Sequence, residues 1–285
     1  MSRWLVTGAS GMLATELLGR LRAAGEPVLA LSRDDLDLRD GPAVRHLVSA
    51  CRPDIVVNCA AWTGVDDAET REAEALAVNG HGVRALAEAC ERIGARMIQP
   101  STDYVFDGTA LNPYPEDAPT CPANAYGRTK LAGEHAVLEV LPDSGYVVRT
   151  AWLYGATGKN FVRTMAAIER SRPVLDVVDD QIGPPTWAGD LADGIVELGR
   201  TEPPPGIYHA TNSGQTSWYG FAREIFELLG ADPGRVTPVS TKEFARPAPR
   251  PAYSVLGHER WGRAGLPPMR DWREALRASD VLVSG

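Results

Sequence analysis

Apolar residues in this chain alternate between short, partly β-branched runs and longer stretches in which they recur every three or four positions. The runs at 4–7, 28–31, 55–58, 96–99 and 146–149 predict strands. The stretches at 12–24, 42–51, 68–78 continuing through 83–93, and 126–140 predict helices. Regular alternation of this kind implies parallel strands joined by right-handed crossovers, a doubly wound α/β sheet that is mostly parallel. After about residue 151 the rhythm loosens. Prolines and aromatics gather in DQIGPPTW, TEPPPG and RPAPRPAY, with shorter helices predicted over 161–170, 188–198, 218–229 and 270–276. The pattern divides the chain into a dinucleotide-binding domain over 1–150 and a smaller, mainly substrate-binding lobe over 151–285. Some segments of the second part are expected to return to the sheet.

Composition narrows the partners. The chain has 285 residues, 44% of them hydrophobic, enough for a real core. Its net charge is −8 and it has no basic run, which argues against nucleic acid. No apolar stretch approaches the roughly 18 residues of a membrane span. The N-terminus enters RWLVTG at once, without a cleavable apolar region, so a cytoplasmic protein is expected. Cys51, Cys59, Cys90 and Cys121 show neither CxxC pairing nor metal-ligand spacing, and are expected as buried free thiols. The five histidines are scattered, and none has a partner at ligand spacing.

In a doubly wound sheet, ligands collect at the carboxyl ends of the strands. The first predicted strand runs into GASGMLATELLGRL, a Rossmann-type phosphate loop. Gly8 permits the tight turn and Gly11 a close backbone approach to a pyrophosphate; Ser10 lies between them. The helix opening at Met12 and Leu13 aims its amides at the anion. An ordinary strand–turn–helix is the plainer reading. At the tip of the second strand, Ser32 and Arg33 favour a 2′-phosphate and hence NADPH, with NADH as the alternative because Asp34 and Asp35 stand nearby. Asp37 and Leu38 fall near the adenine, or else in a solvated turn. Ala60 and Ala61 after the third strand let the chain pass under a ligand, with Trp62 as pocket wall or packing.

The fourth strand leads into STDYVFDG, and Tyr126 and Lys130 follow in YGRTKLAGE. Positions i and i+4 share a helix face, so phenol and ammonium can enter one cleft. A free phenol titrates near 10; an ammonium beside it is expected to lower that value toward neutrality. Thr102 offers a hydroxyl to a substrate carbonyl. With hydride from a nicotinamide, Thr102, Tyr126 and Lys130 form a carbonyl-reductase set.

These motifs, with AAWTGVDDAE, VRTAWLYG and DQIGPPTW in the same order, resemble the extended short-chain dehydrogenase/reductases, and within them the dTDP-4-dehydrorhamnose reductase family. The likeness runs through about residue 187 and is looser beyond. It implies NADPH-dependent reduction of the C4 keto group of a dTDP-4-keto-6-deoxyhexose, dTDP-4-dehydro-L-rhamnose before others, in a monomer or homodimer. It makes Thr102, Tyr126 and Lys130 the triad, gives Lys130 the nicotinamide ribose, and turns Val65, Asp103 and Trp152 toward the sugar nucleotide. Departures are Ala14 for a third glycine, Pro100 inside a strand, and Tyr253 for an asparagine. Some relatives dimerise around magnesium held by glutamates. Here Glu16 has only the displaced Asp190 as counterpart, so no metal is expected. Sister ketosugar reductases (dihydrostreptose or another deoxysugar), a nucleotide-sugar epimerase, and a non-catalytic subunit like that of methionine adenosyltransferase are the rivals. Arg246 and Arg250 could reach a diphosphate, and Asn160 and Phe161 the cleft.

Overall fold

The computed structural model describes residues 2–279, 281 and 282. The five strand runs become β1 (Trp4–Thr7), β2 (Val28–Leu31), β3 (Ile55–Asn58), β4 (Arg96–Thr102) and β5 (Gly145–Thr150). Between them lie α1 (Met12–Ala23), α2 (Gly41–Cys51), α3 (Val65–Ala68), α4 (Glu72–Leu76), a π-helical turn (Ala77–Gly82), α5 (Val83–Ile93) and α6 (Ala125–Val140). The second half supplies β6 (Leu153–Tyr154), α7 (Phe161–Glu169), β7 (Leu175–Val178), β8 (Ile182–Gly183), β9 (Thr186–Trp187) and α8 (Ala188–Thr201). It ends with β10 (Gly206–His209), β11 (Thr216–Ser217), α9 (Trp218–Leu228), β12 (Val236–Val239), α10 (Glu259–Arg263) and α11 (Trp272–Ala278).

Six strands form one sheet in the order β10-β5-β4-β3-β1-β2, every pair parallel. The chain winds outward from β1 to β2, then reverses to β3 on the other side. That reversal opens a crevice at the carboxyl ends of β1 and β3, where this class of sheet binds ligands.

Alternation along the strands explains the two layers of helix. Trp4 and Val6 point to one face with Leu17, Leu21, Leu191 and Ile195 of α1 and α8; Leu5 points to the other, with Val44, Val83 and Val137 of α2, α5 and α6. Away from its edge strands, the sheet is therefore buried on both sides. The second half contributes α8 and β10 to this body and builds its own core from Tyr154, Phe221, Phe226 and Trp272. Its remaining strands pair as the two-stranded ribbons β6–β9, β7–β12 and β8–β11.

Several expectations change. The helix expected over 68–78 and continuing through 83–93 starts only at Glu72, after a turn at 69–71 that separates it from α3, and then runs unbroken through α4, the π turn and α5. The N-cap of α3 is Gly64, with Asp66 and Asp67 in its first turn. Asp66 pairs with Arg250 at 2.9 Å and Arg246 at 3.7 Å. All four cysteines are free, but only Cys90 is fully buried and Cys121 is exposed. No helix among the described residues is long and apolar enough to cross a membrane.

Candidate active site

Two adjoining clefts lie over the carboxyl ends of the strands. The first, about 450 Å³, is lined by Gly8, Ser10, Gly11, Arg33, Asp37, Leu38, Ala60, Ala61 and Trp62 from the sequence reading. Leu36, Arg39, Cys59, Arg71, Glu74 and Val78 join them. Gly8 has φ +63, and a Cβ on it would stand 2.6 Å from the Ala60 nitrogen. Only glycine lets β1 turn this tightly under the β3 loop. Helix α1 starts at Met12 with no side-chain cap, leaving its first N–H groups unpaired by the chain's own side chains. A glycine cradle of this shape below a helix N-terminus fits a dinucleotide pyrophosphate.

Ser32 stands outside this lining. Its N–H and hydroxyl both donate to Asp35, at 2.8 and 2.6 Å. Asp37 pairs with Arg39, whose hydrogen bonds hold the carboxyl down to about 2. Arg33 makes no ion pair among the described residues and remains available to a phosphate.

The second cleft, about 540 Å³, shares Gly11, Cys59 and Ala61 with the first. It brings together Met12, Leu13, Val65, Thr102, Asp103, Tyr126, Lys130 and Trp152. Tyr126 and Lys130 face it from one side of α6, which starts at a cap where the Asn124 side chain accepts from the Gly127 N–H at 2.8 Å. Thr102 ends β4, and its hydroxyl donates to Asp103 at 2.9 Å.

Lys130 is anchored by backbone. Its Nζ donates to the Pro100 carbonyl at 2.7 Å, which also accepts from Gln99 Nε2 at 2.9 Å. Gln99 Oε1 accepts from Asn58 Nδ2 at 2.7 Å, and Asn58 Oδ1 from the Thr7 hydroxyl at 2.6 Å. A buried polar chain thus runs from the strand that feeds the phosphate loop, across β3 and β4, to the lysine. Pro100 is tolerated in a central strand because the β3–β4 ladder stops at Val57 and Ile98.

The electrostatics differ from expectation. Burial pushes the Tyr126 phenol up, the Asp103 carboxylate adds to the rise, and the Thr102 hydroxyl offsets part of it. Burial lowers Lys130 to about 8 against the opposing pull of Glu134. In the chain by itself, desolvation therefore outweighs the expected acidification of the phenol, and both groups move toward their neutral forms. Asp103 is pushed up to about 6 by burial, with the Thr102 and Ser254 hydroxyls offsetting part of the rise.

Asn79, which the sequence reading missed, holds the floor of the first cleft. It accepts from the Trp62 N–H at 2.9 Å, donates to the Trp62 carbonyl at 3.1 Å, and reaches Thr129 of α6 at 3.1 Å. The signal was an Asn-Gly pair inside a helical pattern; single π turns concentrate at functional sites for this kind of reason. Glu16 and Asp190 are engaged by Arg20 and Arg270, at 2.7 and 2.8 Å.

Comparison with known proteins gives the family. The family model described as RmlD substrate binding domain matches residues 2–281. A dTDP-4-dehydrorhamnose reductase of Streptomyces griseus is 58% identical, the match covering 99% of this chain and 94% of that protein. A dTDP-4-keto-6-deoxy-D-glucose reductase of Streptomyces niveus is 54% identical, covering 99% and 98%. The crystal structure of the Bacillus anthracis dTDP-4-dehydrorhamnose reductase in complex with NADP superposes with TM-score 0.95 at 38% identity, covering 98% of this chain and 99% of that one. With a family match spanning nearly its whole length and relatives more than half identical to it, the chain belongs to the RmlD family of dTDP-sugar reductases.

Proposed function

We propose that this chain catalyses NADPH-dependent reduction of the C4 ketone of a dTDP-4-keto-6-deoxyhexose, with dTDP-4-dehydro-L-rhamnose giving dTDP-L-rhamnose as the first assignment. The observation that carries this reading is the convergence of Thr102, Tyr126 and Lys130 on a cleft continuous with the glycine cradle. The names of relatives above half identity support the substrate class, and the NADP complex of the Bacillus anthracis protein supports the cofactor.

Gly8, Ser10, Gly11, Met12 and Leu13 would hold the pyrophosphate side of the dinucleotide, and Arg33 its 2′-phosphate. Asp37 and Leu38 border the adenosine end, Ala60, Ala61 and Trp62 form the floor, and Lys130 would take the nicotinamide ribose. When bound, the nicotinamide supplies the hydride. Tyr126 then gives its phenolic proton to the C4 oxygen. Its raised pKa keeps it protonated at neutral pH, the form a reduction needs, and the developing alkoxide is far more basic than a phenolate. Lys130 stabilises the phenolate left behind. Thr102 orients the carbonyl oxygen, while Val65, Asp103 and Trp152 face the sugar. No metal takes part in this scheme. We set the reaction in the cytoplasm, in a monomer or homodimer.

The second reading is a sister 4-ketoreductase of another deoxysugar, favoured by the 54%-identical dTDP-4-keto-6-deoxy-D-glucose reductase. Purified protein is assayed for NADPH oxidation by absorbance against a panel of dTDP-4-ketosugars. The best substrate chooses between the two readings; no oxidation with any of them overturns both and leaves the non-catalytic subunit. Tyr126→Phe is expected to lower kcat by about 10²–10⁴-fold while NADPH still binds. Unchanged kcat would remove Tyr126 from the proton transfer.

A further inference from the structure

Three non-glycine residues adopt a left-handed backbone among the described residues: Arg52, Trp152 and Glu202. Arg52 and Glu202 each follow a helix C-terminus, where that conformation is ordinary. Trp152, at φ +47, closes no helix; it lies between β5 and β6. A bulky residue held there is strained, and it persists only where its surroundings over-determine it.

The surroundings do so. The Trp152 indole lies face to face on Trp218, with ring centroids 3.5 Å apart and planes within 6°. Phe161 backs Trp218 at 4.6 Å. At the edge of the same indole sits Gly183, where a Cβ would stand 2.5 Å from Trp152 Cε2 and 2.6 Å from Nε1. Its neighbours fix both contacts. Gly183 belongs to β8 and pairs with Thr216 of β11, and Trp218 opens α9 directly after β11. One short ribbon therefore presents a flat backing and a notch to a single side chain, and the glycine of DQIGPPTW gains a physical purpose. The side chain so held lines the second cleft with Thr102 and Tyr126.

We propose that Trp218 and Gly183 are positioning residues for the substrate: they lock the Trp152 indole as a fixed wall of the second cleft, and that wall sets where the sugar nucleotide rests relative to Tyr126. The inference rests on the reading of this cleft as the sugar-nucleotide site. A wall that positions ground state and transition state alike acts on KM more than on kcat.

The test uses Trp218→Leu, Trp218→Phe and Gly183→Ala in the full chain. Stacked indoles couple their transitions, so the wild type should show an exciton pair in circular dichroism that Trp218→Leu abolishes. Trp218→Leu and Gly183→Ala should each raise KM for the dTDP-ketosugar about tenfold, with kcat within a few-fold and NADPH affinity unchanged. Trp218→Phe, which keeps a flat backing, should recover most of the loss; a merely structural role would move NADPH affinity together with KM. A sugar KM within twofold of wild type in both Trp218→Leu and Gly183→Ala overturns the proposal. Should the wild type turn over no dTDP-ketosugar, the functional reading fails separately. The lock is then judged by spectroscopy: loss of the exciton pair and freer acrylamide quenching in Trp218→Leu support it, and no change in either overturns it.

Discussion

At the residue scale, burial decides the chemistry of the pair that sequence spacing picked out. Tyr126 and Lys130 reach one cleft because they are four positions apart on α6, and that much is readable from YGRTK. Their protonation is not, because it depends on how deeply the rest of the fold covers them. Lys130 falls from 10.5 to about 8, so between those values the unfolded chain binds more protons than the folded one. Stability therefore rises with pH across that window, and at pH 7 the buried ammonium costs up to about 3 kcal/mol, at about 1.4 kcal/mol per unit. Lys130→Met should accordingly raise the urea midpoint at pH 7 while abolishing turnover, the trade expected of a residue kept for function. A lower midpoint would contradict this. In the intact protein, kcat/KM reports groups of the free enzyme and should fall through an apparent pKa near 8 as the ammonium is lost. A flat profile to pH 10 would show that the charge on Lys130 is not needed.

At the element scale, strands β1 to β5 were legible because each run carries apolar residues that pack under the flanking helices, with Leu29 of the edge strand β2 as an exposed exception. The two-residue strands of the second half were not, since two residues carry no periodicity. Pro100 read as a misfit only while its strand partners were unknown; beyond the end of the β3 ladder its missing N–H costs nothing, and its carbonyl serves Lys130. The π turn was hidden for the opposite reason. Its residues fit a helical period, and within it one side chain, Asn79, meets both backbone groups of Trp62. Asn79→Ala would leave those groups and the Thr129 hydroxyl without this partner, at about 1–3 kcal/mol of stability. Because the loop it holds lines the first cleft and not the reacting centre, KM for NADPH should rise several-fold with kcat less affected. Steady-state kinetics in NADPH check this; a normal KM in a stably folded variant would mean the loop holds its shape without Asn79.

At the scale of the whole molecule, Arg149 is one place where the two halves of the chain meet. It lies on β5, 2% exposed, and pairs with Glu134 of α6 at 2.7 Å. Ser101 of β4 donates to the same carboxylate at 2.5 Å, and the Arg149 guanidinium faces His209 of β10 at 3.5 Å. His209 is the residue that ties the returning strand into this cluster. Its Nδ1 faces the Gly257 carbonyl at 3.0 Å, which assigns the proton to Nδ1 and leaves Nε2 to accept from Arg149. Burial, then the repulsion of Arg149 and of His258, lowers the imidazole to about 3. Between 6.5 and about 3 the unfolded chain takes up a proton that the folded one refuses, so stability falls as pH drops, by up to about 1.4 kcal/mol per unit from this group. His209→Gln keeps an acceptor for Arg149 but cannot titrate. Urea unfolding of both proteins between pH 7 and 4.5 should show the wild type losing stability faster, with the gap widening steadily below pH 6.5. A gap independent of pH would mean that other groups carry the acid sensitivity and that β10 is held to the sheet without a neutral imidazole.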